Sequence, residues 1–234
     1  QIFQMRIAIK FCISGYLIGE SYFKLIEEQK NIFQTLTNQN GKNEKNNKEW
    51  TEDEYIVIGQ LGNTASSRVE LIYQIETGHL YAIKNINSYD NEASKLIKRE
   101  YENYLNINHP FIPKFYGFQK KDNCLIIQYI HGKTLDKVEL TTLTKEDKVT
   151  IILQLMLIIK YLHDKKFVYR DLKPNNVIID NNKIAFLIDF DRMISINSQK
   201  KENEDAFTKN FSIIGFVAPE VLNGDIGYKN DIYS

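Results

Sequence analysis

The apolar positions of this chain fall into blocks of different period, and the texture changes near residue 55. Over residues 1–18 the pattern fits two elements at once: Ile7, Ile9, Phe11 and Ile13 alternate as in a strand, while Ile2, Met5, Ile9, Cys12 and Tyr16 keep helical spacing. Arg6 and Lys10 interrupt this run, which is too short to span a bilayer and is not read as a cleavable signal peptide. Tyr22, Ile26, Phe33 and Leu36 place an apolar stripe on a predicted amphipathic helix over 20–37, so residues 1–37 read as the helical end of an upstream region. Residues 38–50 hold almost nothing to bury and are expected to form a flexible linker.

From Tyr55 short apolar runs alternate with turns. Runs at 55–61, 68–75 and 79–86, the last two separated by Thr77-Gly78, predict an antiparallel meander. Residues 91–107 predict a helix ending at the His109-Pro110 breaker, with Leu96, Glu100 and Tyr104 four apart on one face. A carboxylate inside an apolar stripe needs a cation, and Lys84 in Tyr81-Ala82-Ile83-Lys84 is the candidate. Strands at 114–119 and 124–129 lead into a connector, Gln128 to Leu135. Thr144-Lys-Glu-Asp147 then has the form of a capping box. The helix it opens is apolar on most faces from Val149 to Leu162, so it belongs in a core. Lys165 and Lys166 follow its end, where cations are favoured; His163 is expected to be a satisfied core histidine and His131 a solvent-facing one.

Two further apolar runs, Val177 to Ile179 and Ile184 to Ile188, flank an Asp-Asn-Asn turn and predict a buried hairpin. Asp171, Lys173 and Asn176 precede it and Asp189 follows it, so the hairpin would gather two carboxylates, an amide oxygen and an ammonium. Such a group is costly to bury dry, which implies a divalent cation and a polyanionic ligand. With 234 residues and 43% hydrophobic content, the chain has material for one large or two small domains. Lys plus Arg and Asp plus Glu both number 30, so no bulk field favours nucleic acid or an anionic membrane, and anion binding must be local. Cys12 and Cys124 show no disulfide spacing, which points to a reducing, cytoplasmic compartment.

The stretch Phe167-Val-Tyr-Arg-Asp-Leu-Lys-Pro-Asn-Asn176, followed by Asp189-Phe-Asp191, resembles the catalytic and metal-binding loops of eukaryotic-type protein kinases. Leu61-Gly62-Asn-Thr64-Ala-Ser-Ser67-Arg-Val69 resembles the glycine-rich loop with only its first glycine kept, and Tyr81 to Lys84 resembles the V-A-I-K strand. Ser212-Ile-Ile-Gly-Phe-Val-Ala-Pro-Glu220 is similar to the end of the activation segment. Asp231 resembles the family's buried aspartate, which accepts hydrogen bonds from the backbone at Tyr169 and Arg170. The resemblance covers about residues 52–234. It implies an α+β, two-lobed kinase-like domain at 51–234, with an antiparallel-sheet N-lobe (51–130) carrying one helix and a mostly helical, C-terminally truncated C-lobe (131–234).

What the resemblance implies chemically is an ATP- and Mg²⁺-dependent serine/threonine protein kinase acting on a protein substrate, with no nucleic acid and no membrane segment. Leu61, Gly62, Val69, Ala82, Lys84, Glu100, Ile127, Gln128, Ile130 and Ile178 would surround ATP, Lys84 pairing with Glu100 and holding the phosphates. Asp171 would orient the acceptor hydroxyl and take its proton, Lys173 would neutralise the transferred phosphoryl group, and Asn176 and Asp189 would ligate Mg²⁺. Lys173 in Asp-Leu-Lys-Pro-x-Asn is the serine/threonine form, while Thr134 and Asn175 stand where arginine-requiring kinases often carry acids. Arg170 is suited to hold a phosphate on the activation segment, with Thr208 and then Ser212 as candidate phosphosites. Thr64, Ser67, Asp191 and Ile213 depart from the family's pattern and motivate an alternative, a pseudokinase serving as nucleotide-binding or scaffold module. A small-metabolite kinase is disfavoured by Ala218-Pro219-Glu220.

Overall fold

The computed structural model describes residues 48–63, 67–86, 91–196 and 227–233. The expectations for residues 1–47, Thr64, Thr208, Ser212, Ile213 and Ala218 to Glu220 lie outside the described residues. A six-stranded sheet carries the first part of the chain, in the order β1-β5-β6-β4-β3-β2. Its strands are β1 (Lys48–Glu49), β2 (Tyr55–Asn63), β3 (Ser67–Gln74), β4 (Leu80–Ile86), β5 (Phe115–Gln119) and β6 (Cys124–Gln128). All pairings are antiparallel except β1 with β5. One helix, α1 (Asn91–Asn106), accompanies this sheet. The predicted meander, helix and two later strands are all present, and with the helical region beyond them they make a two-lobed α+β kinase-like fold.

The connector after β6 contributes β7 (Gly132–Thr134), which joins β9 (Val177–Asp180) and β10 (Ala185–Leu187) in a second sheet, ordered β10-β9-β7. Gly132 is required there by contact: a Cβ on it would lie 2.2 Å from the Ile179 carbonyl oxygen. The long helix α2 (Lys145–Asp164) begins at the predicted capping box, with the Asp147 amide donating to Thr144 Oγ1 at 3.0 Å and the Thr144 amide donating to Asp147 Oδ2 at 3.0 Å. Ile151, Ile158, Ile159 and Leu162 on its buried face pack in one core with Tyr104, Phe111, Tyr169, Val177, Leu187 and Phe190. Gln154 on that face accepts a 2.8 Å hydrogen bond from the Ala185 amide, which ties the helix to the hairpin. A short pair, β8 (Phe167–Val168) with β11 (Ile194–Ser195), and a final short helix, α3 (Asn230–Tyr233), complete the described fold.

The linker expected over 38–50 is corrected at its end. Lys48 and Glu49 pair with Gly117 and Phe118, and Trp50 is buried among Ile72, Ile83, Cys124 and Ile126. Tyr81 meets the Trp50 ring edge-on at 5.2 Å, and the indole NH donates to the Tyr116 carbonyl at 3.4 Å. Gly117 leaves room for this: a Cβ on it would stand 2.5 Å from the indole ring. The physical reason is that a single large apolar side chain outweighs several polar neighbours when a preformed gap accepts it. Trp50→Ala is expected to lower the unfolding free energy by about 3–5 kcal/mol in denaturant titrations. A loss below about 1 kcal/mol would show that the indole is not anchored.

Candidate active site

Ladder register sets the upper wall of the site. Gly62 pairs with Val69, Val69 with Lys84 and Lys84 with Leu125, so these four form one row across the sheet. Leu71, Ala82 and Ile127 form the adjacent row on the same face, since residues two apart in a strand point the same way. Leu61 is exposed, whereas Ala82 and Ile130 are buried. Gln128 ends β6, where its amide donates to the Lys114 carbonyl at 2.8 Å and its side-chain oxygen accepts from the Lys114 amide at 3.2 Å. Ile178 lies in the second sheet, between Thr134 of the connector and Phe186.

Lys84 is the junction. Its Nζ donates to Glu100 Oε2 at 2.5 Å, on the helix that follows β4, and to Asp189 Oδ1 at 2.7 Å, 105 residues further along the chain. Burial opposes a charge here, but Asp189, Glu100 and Asp191 outweigh it and hold the ammonium well above the usual lysine range. Asp189 is held below the ordinary carboxyl range, the Lys84 ammonium overcoming the effect of burial. Glu100 also accepts from the Phe190 amide at 3.2 Å, so both of its oxygens are engaged.

A second cluster forms around Asp171. Lys173 Nζ and Asn176 Nδ2 donate to Asp171 Oδ2 at 2.7 and 2.8 Å, and Asn176 Nδ2 also reaches the Asp171 carbonyl at 2.9 Å. The Ile188 amide donates to the Asn176 carbonyl at 3.0 Å, which seats Asp189 beside Asn176 and joins the two clusters. Of the expected residues, the structure therefore brings Lys84, Glu100 and Asp189 into direct contact, and likewise Asp171, Lys173 and Asn176. Gly62 and Val69 share a row with Lys84, Ala82 and Ile127 lie in the adjacent row of the same face, and Leu61, Gln128, Ile130 and Ile178 lie on flanking segments.

The donor set fits a hard cation. The amide nitrogen of Asn176 is spent on Asp171, which leaves its oxygen as the donor end, and Asp189 adds a carboxylate. Among the described residues no group of three or more His, Cys, Asp or Glu side chains could hold a metal alone. The Asn176 and Asp189 oxygens match in number and kind what Mg²⁺ takes from a protein, the rest of its shell coming from phosphates and water.

Asp231 fixes the loop before Asp171, as expected. Its carboxylate accepts from the amides of Tyr169 at 2.9 Å and Arg170 at 2.7 Å and lies 2.8 Å from His163 Nε2, which gives that histidine its partner. Arg170 (φ 74°) and Asp189 (φ 66°) take left-handed backbone conformations, which cost non-glycine residues about 1–3 kcal/mol each and persist only where surrounding bonds impose them. Asp191 is not among the positive-φ residues, so a glycine is not required at that position in this conformation.

Further side chains, to which the sequence assigns no part in the site, support these clusters. Tyr169, Phe190 and Tyr104 stack edge-on with centroids 5.4 Å apart at each step, and Phe115 follows Tyr104 at 5.8 Å, making an aromatic column through the core. Asn103 donates to the carbonyls of Phe190 at 2.7 Å and Met193 at 3.0 Å, so α1 holds the turn after Asp189. Only its place three residues from Glu100 could have marked it. Arg192 brings its Nε to 4.0 Å from Asp171 Oδ2.

A model of the protein kinase domain matches residues 55–234, and the chain belongs to the protein kinase family. It is 29% identical over 205 residues to serine/threonine-protein kinase D of Synechocystis sp., covering 78% of this chain and 39% of that protein. It is 26% identical over 193 residues to serine/threonine-protein kinase cst-1 of Caenorhabditis briggsae (78% and 37% covered), and 27% identical over 197 residues to protein kinase 3 of Dictyostelium discoideum (79% and 22% covered). The chain thus spans well under half the length of these relatives.

Asp191 supplies a pH test. Its Oδ1 is buried without a hydrogen-bond partner, and burial, reinforced by the Asp189 charge, raises its pKa from 3.8 to about 7. Between those two values the folded chain holds the proton that the unfolded chain has released, so stability falls as pH rises. In metal-free buffer Asp191→Asn is expected to melt above the parent at about pH 8, with the gap closing towards about pH 4 in thermal scans. A gap of constant size, or of opposite sign, would contradict this.

Proposed function

We infer that the chain transfers the γ-phosphoryl group of ATP to a serine or threonine hydroxyl of a protein substrate. The observation that carries this reading is the double contact of Lys84 with Glu100 and Asp189, made while Asp171, Lys173 and Asn176 are locked together one residue away. Phosphoryl transfer asks mainly for positioning and for fixed charge around the phosphate oxygens, and these side chains supply both.

In the proposed step the acceptor oxygen forms a bond to the γ-phosphorus while the bond from that phosphorus to the bridging oxygen breaks. The electron pair leaves on ADP, and the hydroxyl proton passes to Asp171. Bound Mg²⁺ would supply charge neutralisation between the phosphates. Lys84 would hold the non-transferred phosphates, Lys173 the transferred group, and Asn176 and Asp189 would be the metal's protein donors. The sheet rows containing Val69, Ala82 and Ile127 would close over the base, with Ile178 below it and the backbone of Gln128 and Ile130 along its edge; Leu61 and Gly62 would lie over the mouth. The serine/threonine preference rests on Lys173 and on the relatives' names. Among the described residues no helix is long and apolar enough to cross a membrane, and the buried free thiol of Cys124 suits the reducing cytoplasm.

Incubation with γ-labelled ATP, Mg²⁺ and a serine/threonine peptide library is expected to label peptides, and Asp171→Asn is expected to lower the rate by about 10²–10⁴-fold. Equal labelling by the parent and Asp171→Asn would contradict the reading. So would parent protein that binds ATP but transfers nothing, the behaviour of a pseudokinase.

A further inference from the structure

Arg192 stands in a tight turn directly after Asp191, and its side chain is about one-third exposed at 32%. Its Nε lies 4.0 Å from Asp171 Oδ2, the same oxygen that accepts from Lys173 at 2.7 Å and from Asn176 at 2.8 Å. Two cations from different segments therefore converge on one carboxylate oxygen. The guanidinium also acts electrostatically on Asp189 and Asp191, so it is placed among three carboxylates. Asn103 fixes the turn's backbone from α1 through the Phe190 and Met193 carbonyls on either side of Arg192, so the stem of the side chain starts from a held position.

We propose that Arg192 is a further catalytic residue, whose guanidinium joins Lys173 in contacting the phosphoryl group during transfer. The proposal rests on the kinase reading above. In transfer, negative charge spreads over three equatorial oxygens at the point where the acceptor hydroxyl, held by Asp171, meets the phosphorus. A cation sharing Asp171 Oδ2 with Lys173 is within side-chain reach of that point. Its planar fork presents two parallel N–H donors in a fixed geometry to a pair of the oxygens, whereas an ammonium acts as a point charge with freely rotating donors. The residue that makes the turn more acidic, Asp191, is also the immediate neighbour of the residue that returns a positive charge to it. The atom balance is that of the transfer already written: Arg192 forms and breaks no covalent bond and keeps its proton throughout.

The test compares two ligands on the full chain by calorimetry: Mg·ADP, and Mg·ADP with aluminium fluoride, a planar stand-in for the phosphoryl group in flight. The parent is expected to bind the fluoride complex more tightly than ADP. Arg192→Ala is expected to hold ADP within about threefold but to weaken the fluoride complex by about 10-fold or more. Arg192→Lys is expected to recover only part of that loss, because the ammonium lacks the fork. If Arg192→Ala weakens both ligands by one factor, or neither, the proposal is overturned. If it leaves the fluoride complex intact and instead slows transfer only to acidic peptides, the proposal is also overturned, and acceptor recognition takes its place. Failure of the parent to bind Mg·ADP at all would overturn the kinase reading itself, which separates the two.

Discussion

One buried ammonium organises this protein. Lys84 comes from the sheet, Glu100 from α1, the next element in the chain, and Asp189 from the segment after the hairpin, 105 residues from Lys84. Removing the charge from water is unfavourable, so the position is tenable only while both carboxylates are present. That condition works in both directions. The lysine selects the position of α1 against the sheet, and it selects the conformation in which Asp189, despite its left-handed backbone, turns back toward the sheet.

The other constraints prevent this arrangement from relaxing. The aromatic column from Tyr169 through Phe190 and Tyr104 to Phe115 fills the space on one side, so the turn after Asp189 cannot move without opening a void. Asn103 holds two carbonyls of that turn from α1. On the other side Asp231 takes the amides of Tyr169 and Arg170, which orients the loop that presents Asp171. Function thus rests on side chains of opposite charge kept close by a packed apolar scaffold. Among the described residues, the buried carboxylate oxygen without a hydrogen-bond partner, Asp191 Oδ1, lies where the family's pattern is broken.

Much of this was legible in the sequence because local pattern and chemistry agreed. The hairpin at 177–187 announced itself by two apolar runs about an Asp-Asn-Asn turn, and the α2 start by its capping box. Glu100 is a carboxylate within an apolar stripe, a pattern that by itself points to a cation such as Lys84, its partner in the fold. What escaped depends on contacts between distant residues. Trp50 ends a polar stretch, and nothing nearby shows that Gly117 leaves a gap for its ring. Arg192 and Asn103 are ordinary polar residues whose roles come only from what the fold sets opposite them. In this conformation the left-handed φ falls on Asp189, two residues before Asp191, so here the carboxylate of Asp191 acts electrostatically.

The central claim is that Lys84 and Glu100 stabilise the fold as a pair rather than singly. A double-mutant cycle of unfolding free energies over Lys84→Met, Glu100→Leu and the combined variant measures this directly. The account predicts a coupling above about 1 kcal/mol, with the double variant less destabilised than the sum of the singles. Additivity within about 0.5 kcal/mol would contradict it.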